Sequence, residues 1–409
     1  MGFENGPFIA QADGGLALNS LSWNKFASVV YIEQPVGVGF SYSSDPSEYQ
    51  LLNDTIAATD NAAFLTAFFA ANPRFLNNRL FLTSESYGGN YIPQLASQIL
   101  RGDDTRLAAQ LRTGGFAVGN PVFSIDENIT FVNIMNAVEV QNLFGHALLP
   151  LSFVEKFEQA GCSALSPPTG CDALTEEMFA LVGDCWANND FQGNFCGDNL
   201  YSNPFGNASL GIAVAPSPDV TALWTAWLNR ADVQTAIHAA PPRAPWATCA
   251  DIGYDVTWPS SLPDYEAAFT AGLKVLIFSG DVDITTCPFA STQIGVNALS
   301  RLPGGAIVEP WAPWAVPGSF GNATAGYFEA HEKFFFVTIK GAGHEAPGYQ
   351  PLASFTLIRA FLSENAGDLA NLMRTAKAEA VVAEAPKAAP AVRTQASALR
   401  EAMRKTRRH

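Results

Sequence analysis

The feature that most constrains this chain is a set of short strand-like runs that are apolar at consecutive positions and alternate with helix-spaced patterns. Arg79-Leu80-Phe81-Leu82-Thr83, Gly115-Phe116-Ala117-Val118-Gly119, Leu273-Lys274-Val275-Leu276-Ile277-Phe278 and Phe334 to Ile339 are of this kind. A strand with one wet face alternates apolar and polar residues, whereas a strand covered on both faces does not. The runs therefore predict an α/β fold with a mostly parallel sheet and helices on both faces. Ser28-Val29-Val30-Tyr31-Ile32-Glu33 reads as a further strand that stops at Pro35. Asn53 or Asp54 caps a predicted helix with Ile56, Ala63, Phe64, Ala67, Phe68 and Ala71 on one face, ending before Pro73. Tyr91, Leu95 and Ile99 mark a second helix, Pro288 opens a third, and Pro351 to Leu362 form a fourth.

The alternation lapses between about Pro121 and Asp264, where five of the six cysteines lie. The expected organisation is one core built from residues 1–120 and 265–378. A largely helical or irregular, disulfide-bearing insertion occupies 121–264, and a tail follows at 379–409. Cys162 with Cys171 and Cys185 with Cys196 are closely spaced. No Cys-x2-Cys unit supports zinc, so two local disulfides and an oxidising compartment are expected. Met1 is followed by no basic or apolar leader, so no signal peptide is expected within this chain. Sequons at Asn53, Asn128, Asn207 and Asn322 are compatible with secretion and add little to it.

Of the 409 residues 48% are hydrophobic and 15% charged, enough to bury a large core. The net charge of −15 argues against nucleic acid as a partner. From Arg374 onward nine basic and three acidic side chains give +6, leaving −21 on the rest. That Ala-rich basic tail is read as a solvated extension, with an amphipathic turn around Ala396, Leu399, Ala402 and Met403. No apolar run reaches the roughly 20 residues of a membrane span. The richest, Phe64 to Ala70, is broken by Thr66.

Three strand ends carry chemistry. The Arg79–Thr83 strand runs into Ser84-Glu85-Ser86-Tyr87-Gly88, with small residues two before and two after Ser86 as a tight strand-to-helix elbow demands. A hydroxyl nucleophile needs a base, and the base needs an orienting acid. In chain order Ser, Asp, His, the next two strands run into Ser279-Gly280-Asp281-Val282-Asp283 and Gly341-Ala342-Gly343-His344-Glu345. His146, His238, His331 and His409 follow no such pattern and are read as surface or core residues.

With Tyr31-Ile32-Glu33-Gln34-Pro35-Val36-Gly37-Val38-Gly39-Phe40-Ser41-Tyr42, Glu85 to Pro93, Phe278 to Asp283 and Gly341 to Pro347, the chain resembles the serine carboxypeptidases of the α/β-hydrolase superfamily over about residues 3 to 365. The resemblance implies that Ser86 is the nucleophile, His344 the base, Asp283 the triad acid and Asp281 a turn former. Tyr87 N–H serves the oxyanion, and Glu85 with Glu4 of Phe3-Glu4-Asn5-Gly6-Pro7 holds the substrate's terminal carboxylate. It implies peptide C-termini as substrates, no cofactor and no metal, and the secretory pathway, vacuole, lysosome or extracellular space as location.

Acyl transfer to another acceptor, or an inert binding protein, is the alternative. The family segment Trp-x-Asn-Gly-Gly-Pro-Gly-Cys-Ser-Ser would precede Phe3, so the chain reads as lacking its front and one oxyanion donor. Such a loss costs roughly 10²–10³ in kcat. Cys249 matches the partner of that absent cysteine and is expected either alone or bonded to Cys287. Asn90 stands where the family commonly has His, and the tail has no family counterpart.

Overall fold

The consecutive apolar runs become the centre of one twisted sheet. A computed structural model describes residues 4–183, 218–240, 245–284, 286–318, 321–363 and 369–372. A short antiparallel ribbon, β1 (Phe8–Ala10) with β2 (Leu16–Leu18), precedes the central strands. These are β3 (Phe81–Glu85), β4 (Gly115–Gly119), β5 (Lys274–Gly280), β6 (Ile307–Gly318), β7 (Gly321–His331) and β8 (Phe334–Ile339). Their spatial order is β3-β4-β5-β8-β7-β6. The first four in that order are parallel, while β7 and β6 add an antiparallel hairpin. The sheet is thus mixed, with the expected parallel part at its functional end.

Alternate residues of the parallel strands enter two separate cores. Phe116, Val118, Val275, Ile277, Phe334 and Phe336 face one, and Ala117, Leu276, Phe278, Val337 and Ile339 face the other. Helices α1 (Asp54–Ala71), α2 (Gly88–Arg101) and α3 (Thr105–Thr113) cover the first face. Between β4 and β5 come α4 (Phe131–Gly145), α5 (Leu151–Gln159), α6 (Asp172–Val182), α7 (Pro218–Leu228), α8 (Ala231–Ala236) and α9 (Leu262–Thr270). Of these, α9 joins α10 (Phe289–Leu299) on the first face, whereas α5 and α6 build a smaller core of their own around Phe153, Phe157 and Met178. After α11 (Ala346–Tyr349), α12 (Pro351–Leu362) closes the second face through Leu357, Ile358 and Phe361. Burying each such side chain stabilises the fold by roughly 1.5–3 kcal/mol. Among the described residues no helix is long and apolar enough to cross a membrane.

Two expectations change, and a hairpin is new. Ser28–Glu33 forms no strand; it runs extended, giving Val29 to one core and Ile32 to the other, and its backbone joins no ladder. The helix capped by Asn53, whose side chain accepts from Ile56 N, is present, but it buries Ala57, Ala58, Asn61, Leu65 and Phe69. Ala63, Phe64, Ala67 and Ala71 are exposed. The helix is apolar nearly all round, so periodicity alone does not choose its inner face. The β6–β7 hairpin adds to the strands read from the sequence, and β6 carries Pro310, Pro313 and Pro317, residues kept out of central strands. As an edge strand, β6 tolerates them.

The Cys162–Cys171 disulfide forms as expected. Cys185 and Cys196, Asn207, the turn around Ala396 and the whole 379–409 tail lie outside the described residues. Cys249 is exposed and Cys287 buried, and both are free thiols, so the alternative of a bond between them does not hold.

Candidate active site

The candidates meet beyond the C-terminal ends of parallel strands, the edge at which open α/β sheets gather functional side chains. Ser86, immediately after β3, has φ of +58°, a left-handed conformation uncommon outside glycine. Backbone hydrogen bonds hold it there. Ser86 N donates to Gly119 O at 2.9 Å, while Val122 N and Gly89 N donate to Ser86 O at 2.8 and 2.9 Å. Crowding explains the small neighbours. A Cβ on Gly88 would lie 2.3 Å from Ser84 Oγ, and one on Gly89 2.3 Å from Val122 O.

Asp283, beyond β5, is 1% exposed. Its Oδ2 accepts from His344 Nδ1 at 2.7 Å, Asn120 Nδ2 at 2.9 Å and Cys287 N at 3.0 Å. Its Oδ1 accepts from Thr286 N at 3.2 Å. The carboxylate therefore fixes a proton on His344 Nδ1 and leaves Nε2 as the nitrogen able to take a proton from a nucleophile. Asp281 accepts from Gly341 N at 2.6 Å, tying the two loops together as a turn former would. The remaining described histidines stay apart: His331 is buried between Gly305 O and Glu329, and His146 meets Asn142 O.

Asn120 is a residue that pattern reading missed. It is fully buried, has φ of +38°, donates to Asp283 and accepts from Gly280 N at 2.9 Å. Its signal was slight: an Asn-Pro closing an apolar strand, where Asn tolerates the left-handed region.

Glu4, Glu85 and Glu345 crowd the same end. Glu4 and Glu85 are hydrogen-bonded to each other. Burial raises both carboxyls above the ordinary value, Glu85 well above it with Glu4, Glu345 and Asp283 adding to the effect. Glu345 is pushed up to about 7 by burial and by Glu4, with His344 opposing. The Cys287 thiol is hydrogen-bonded to Ser86, and burial followed by the Asp283 charge holds it well above its ordinary value, hence neutral. The Tyr87 N–H donates to no acceptor among the described residues. A hydroxyl at a strained turn, a carboxylate-oriented imidazole, a spare backbone donor and carboxyls whose ionisation burial disfavours can together perform acyl transfer on a substrate that bears a carboxylate.

A family profile described as serine carboxypeptidase matches residues 1–364. Serine carboxypeptidase-like 25 of Arabidopsis thaliana is 30% identical over 387 aligned positions, spanning 88% of this chain and 77% of the relative. Serine carboxypeptidase-like 27 of the same plant is 31% identical over 376, spanning 88% and 76%. The crystal structure of Kex1(delta)p, a prohormone-processing carboxypeptidase from Saccharomyces cerevisiae, superposes with a TM-score of 0.66 at 18% identity, over 88% of this chain and 79% of that one. The shared fold is the α/β-hydrolase fold that the family resemblance implied.

Proposed function

The chain belongs to the serine carboxypeptidase family and is a serine-type carboxypeptidase, and we propose that it releases C-terminal residues from peptides through an acyl-enzyme on Ser86. His344 takes the Ser86 proton as the hydroxyl attacks the last peptide carbonyl, then returns it to the departing amine. Asp283 holds the imidazole in the required tautomer and stabilises its charged form. Tyr87 N–H meets the developing oxyanion. Water then attacks the ester by the same route in reverse roles, freeing the shortened peptide. The observation that carries this reading is the 2.7 Å His344–Asp283 bond in the strand-end cluster that also holds the left-handed Ser86.

Glu85 and Glu4 give the exopeptidase preference. Two carboxyls in contact cannot both ionise cheaply beside a third, so a shared proton is available to donate to the substrate's terminal carboxylate. The Cys162–Cys171 disulfide supports an oxidising location in the secretory pathway, a vacuole or lysosome, or outside the cell. Residues 121–264 are read as the insertion that covers the site and lines the residue-binding pocket. Acyl transfer to another acceptor has no residue in its favour, and the His344–Asp283 bond beside Ser86 argues against an inert protein.

A fluorophosphonate probe tests the reading. Wild-type protein is expected to be labelled and to shorten a peptide one residue at a time from its C-terminus. Ser86→Ala is expected to do neither. Equal labelling of both proteins would falsify the assignment.

A further inference from the structure

Asp54 opens α1 and is fully buried, yet among the described residues no basic side chain forms an ion pair with it. Its charge is met by polar donors instead. Oδ1 accepts from Tyr87 OH at 2.7 Å and from Tyr254 OH at 3.1 Å. Oδ2 accepts from Thr257 N at 2.6 Å and Trp258 N at 2.9 Å. One carboxylate thus joins three segments: the start of α1, the loop 254–258 and the elbow.

The elbow end of this junction is Tyr87, the residue that follows Ser86. Its ring is held edge-on by Tyr91 at 4.9 Å and Tyr254 at 6.1 Å, and its hydroxyl is held by Asp54. A side chain fixed at flank and tip leaves its own backbone little freedom. An oxyanion donor must be in place before charge develops, and misplacing a group by about 1 Å can cost roughly 10²-fold. We propose that Asp54 is a positioning residue for catalysis: by holding the Tyr87 hydroxyl it fixes the Ser86–Tyr87 peptide whose N–H meets the oxyanion. The inference rests on the roles given above to Ser86 and Tyr87.

The chemistry of the donors sets the test. Thr257 N and Trp258 N can only donate, whereas a phenol can turn to accept. Asp54→Asn can therefore keep its oxygen on the two backbone groups and offer its NH₂ to the tyrosines, preserving the tether. Asp54→Ala removes it, and Tyr87→Phe removes only the hydroxyl while keeping the ring packing. The expected result is a fall in kcat of about tenfold or more for Tyr87→Phe and Asp54→Ala, with KM within about twofold of wild type. Asp54→Asn is expected to stay within about threefold in kcat. The double variant Asp54→Ala/Tyr87→Phe should be no slower than Asp54→Ala.

A peptide aldehyde, whose adduct with Ser86 carries the oxyanion, should lose affinity by the same factor as kcat, whereas the product peptide should not. A purely structural pin would not divide kcat from KM, or aldehyde from product, in this way. If Asp54→Ala does not fold, Tyr87→Phe carries the test. Wild-type kcat and aldehyde affinity in Tyr87→Phe, beside an inert Ser86→Ala, overturn the inference alone. Undiminished activity in Ser86→Ala overturns the reading of the site and this inference with it.

Discussion

At position 86 a serine occupies a backbone region that costs roughly 1–3 kcal/mol for a non-glycine residue. Three backbone hydrogen bonds hold it there and offset that cost. Ser86, Asp283 and His344 could be picked out because each follows a recognisable strand and the order Ser, Asp, His is restrictive. Asn120 and Asp54 could not, because their partners Asp283 and Tyr87 lie 163 and 33 residues away, and no local pattern announces such a bond. Glu85 yields a residue-scale prediction. Its carboxyl and that of Glu4 are raised above the ordinary 4.5, so they are protonated donors below their raised values and repelling anions above them. KM for a peptide should therefore climb as pH is raised from about 4.5 to about 8. Glu85→Gln, which donates at any pH, should flatten that climb; a KM profile as steep in Glu85→Gln as in wild type would rule Glu85 out as the titrating group.

Among the elements, α12 shows how the two halves of the core are joined. Arg79, just before β3, donates to Leu362 O at 2.6 Å and Ser363 O at 3.1 Å, and Lys274, opening β5, donates to Phe361 O at 2.8 Å. Two cations thus cap the negative end of a helix that follows His344. Arg79→Ala is expected to lower stability by about 1–2 kcal/mol while leaving KM unchanged, read by denaturant unfolding and peptide kinetics. An unchanged unfolding midpoint would show that Lys274 alone suffices. Helix α12 was legible to the residue because Pro351 sets its start and its apolar face is clear. The β6–β7 hairpin was not, since a proline-bearing edge strand carries the composition of a loop.

At the scale of the whole molecule, fold class followed from the fully covered strands, whereas the parallel-to-antiparallel switch depends on pairings that no strand reports by itself. The arrangement also buries more acid than it neutralises. Burial raises Glu4 and Glu85, and pushes Glu139 and Glu345 up to about 7. A group with a raised folded value adds stability that is fully present below its unfolded value and is lost as pH rises through the folded one. For Glu139 and Glu345 that window runs from 4.5 to about 7. The melting temperature should therefore fall across this interval and level off beyond it as far as these two acids govern it, which a thermal scan at successive pH values checks. A rising melting temperature over the same interval would contradict the burial of these acids.

The prolines of β6 also bear on how copies of the chain meet. Its outer edge exposes Ile307 at 54% and Val308 at 63%, an apolar margin that would otherwise invite a strand from a neighbouring copy. Pro310, Pro313 and Pro317 bring no N–H to any pairing, so a ladder along β6 is interrupted at these positions. The margin therefore resists edge-to-edge addition of a second copy at these three positions.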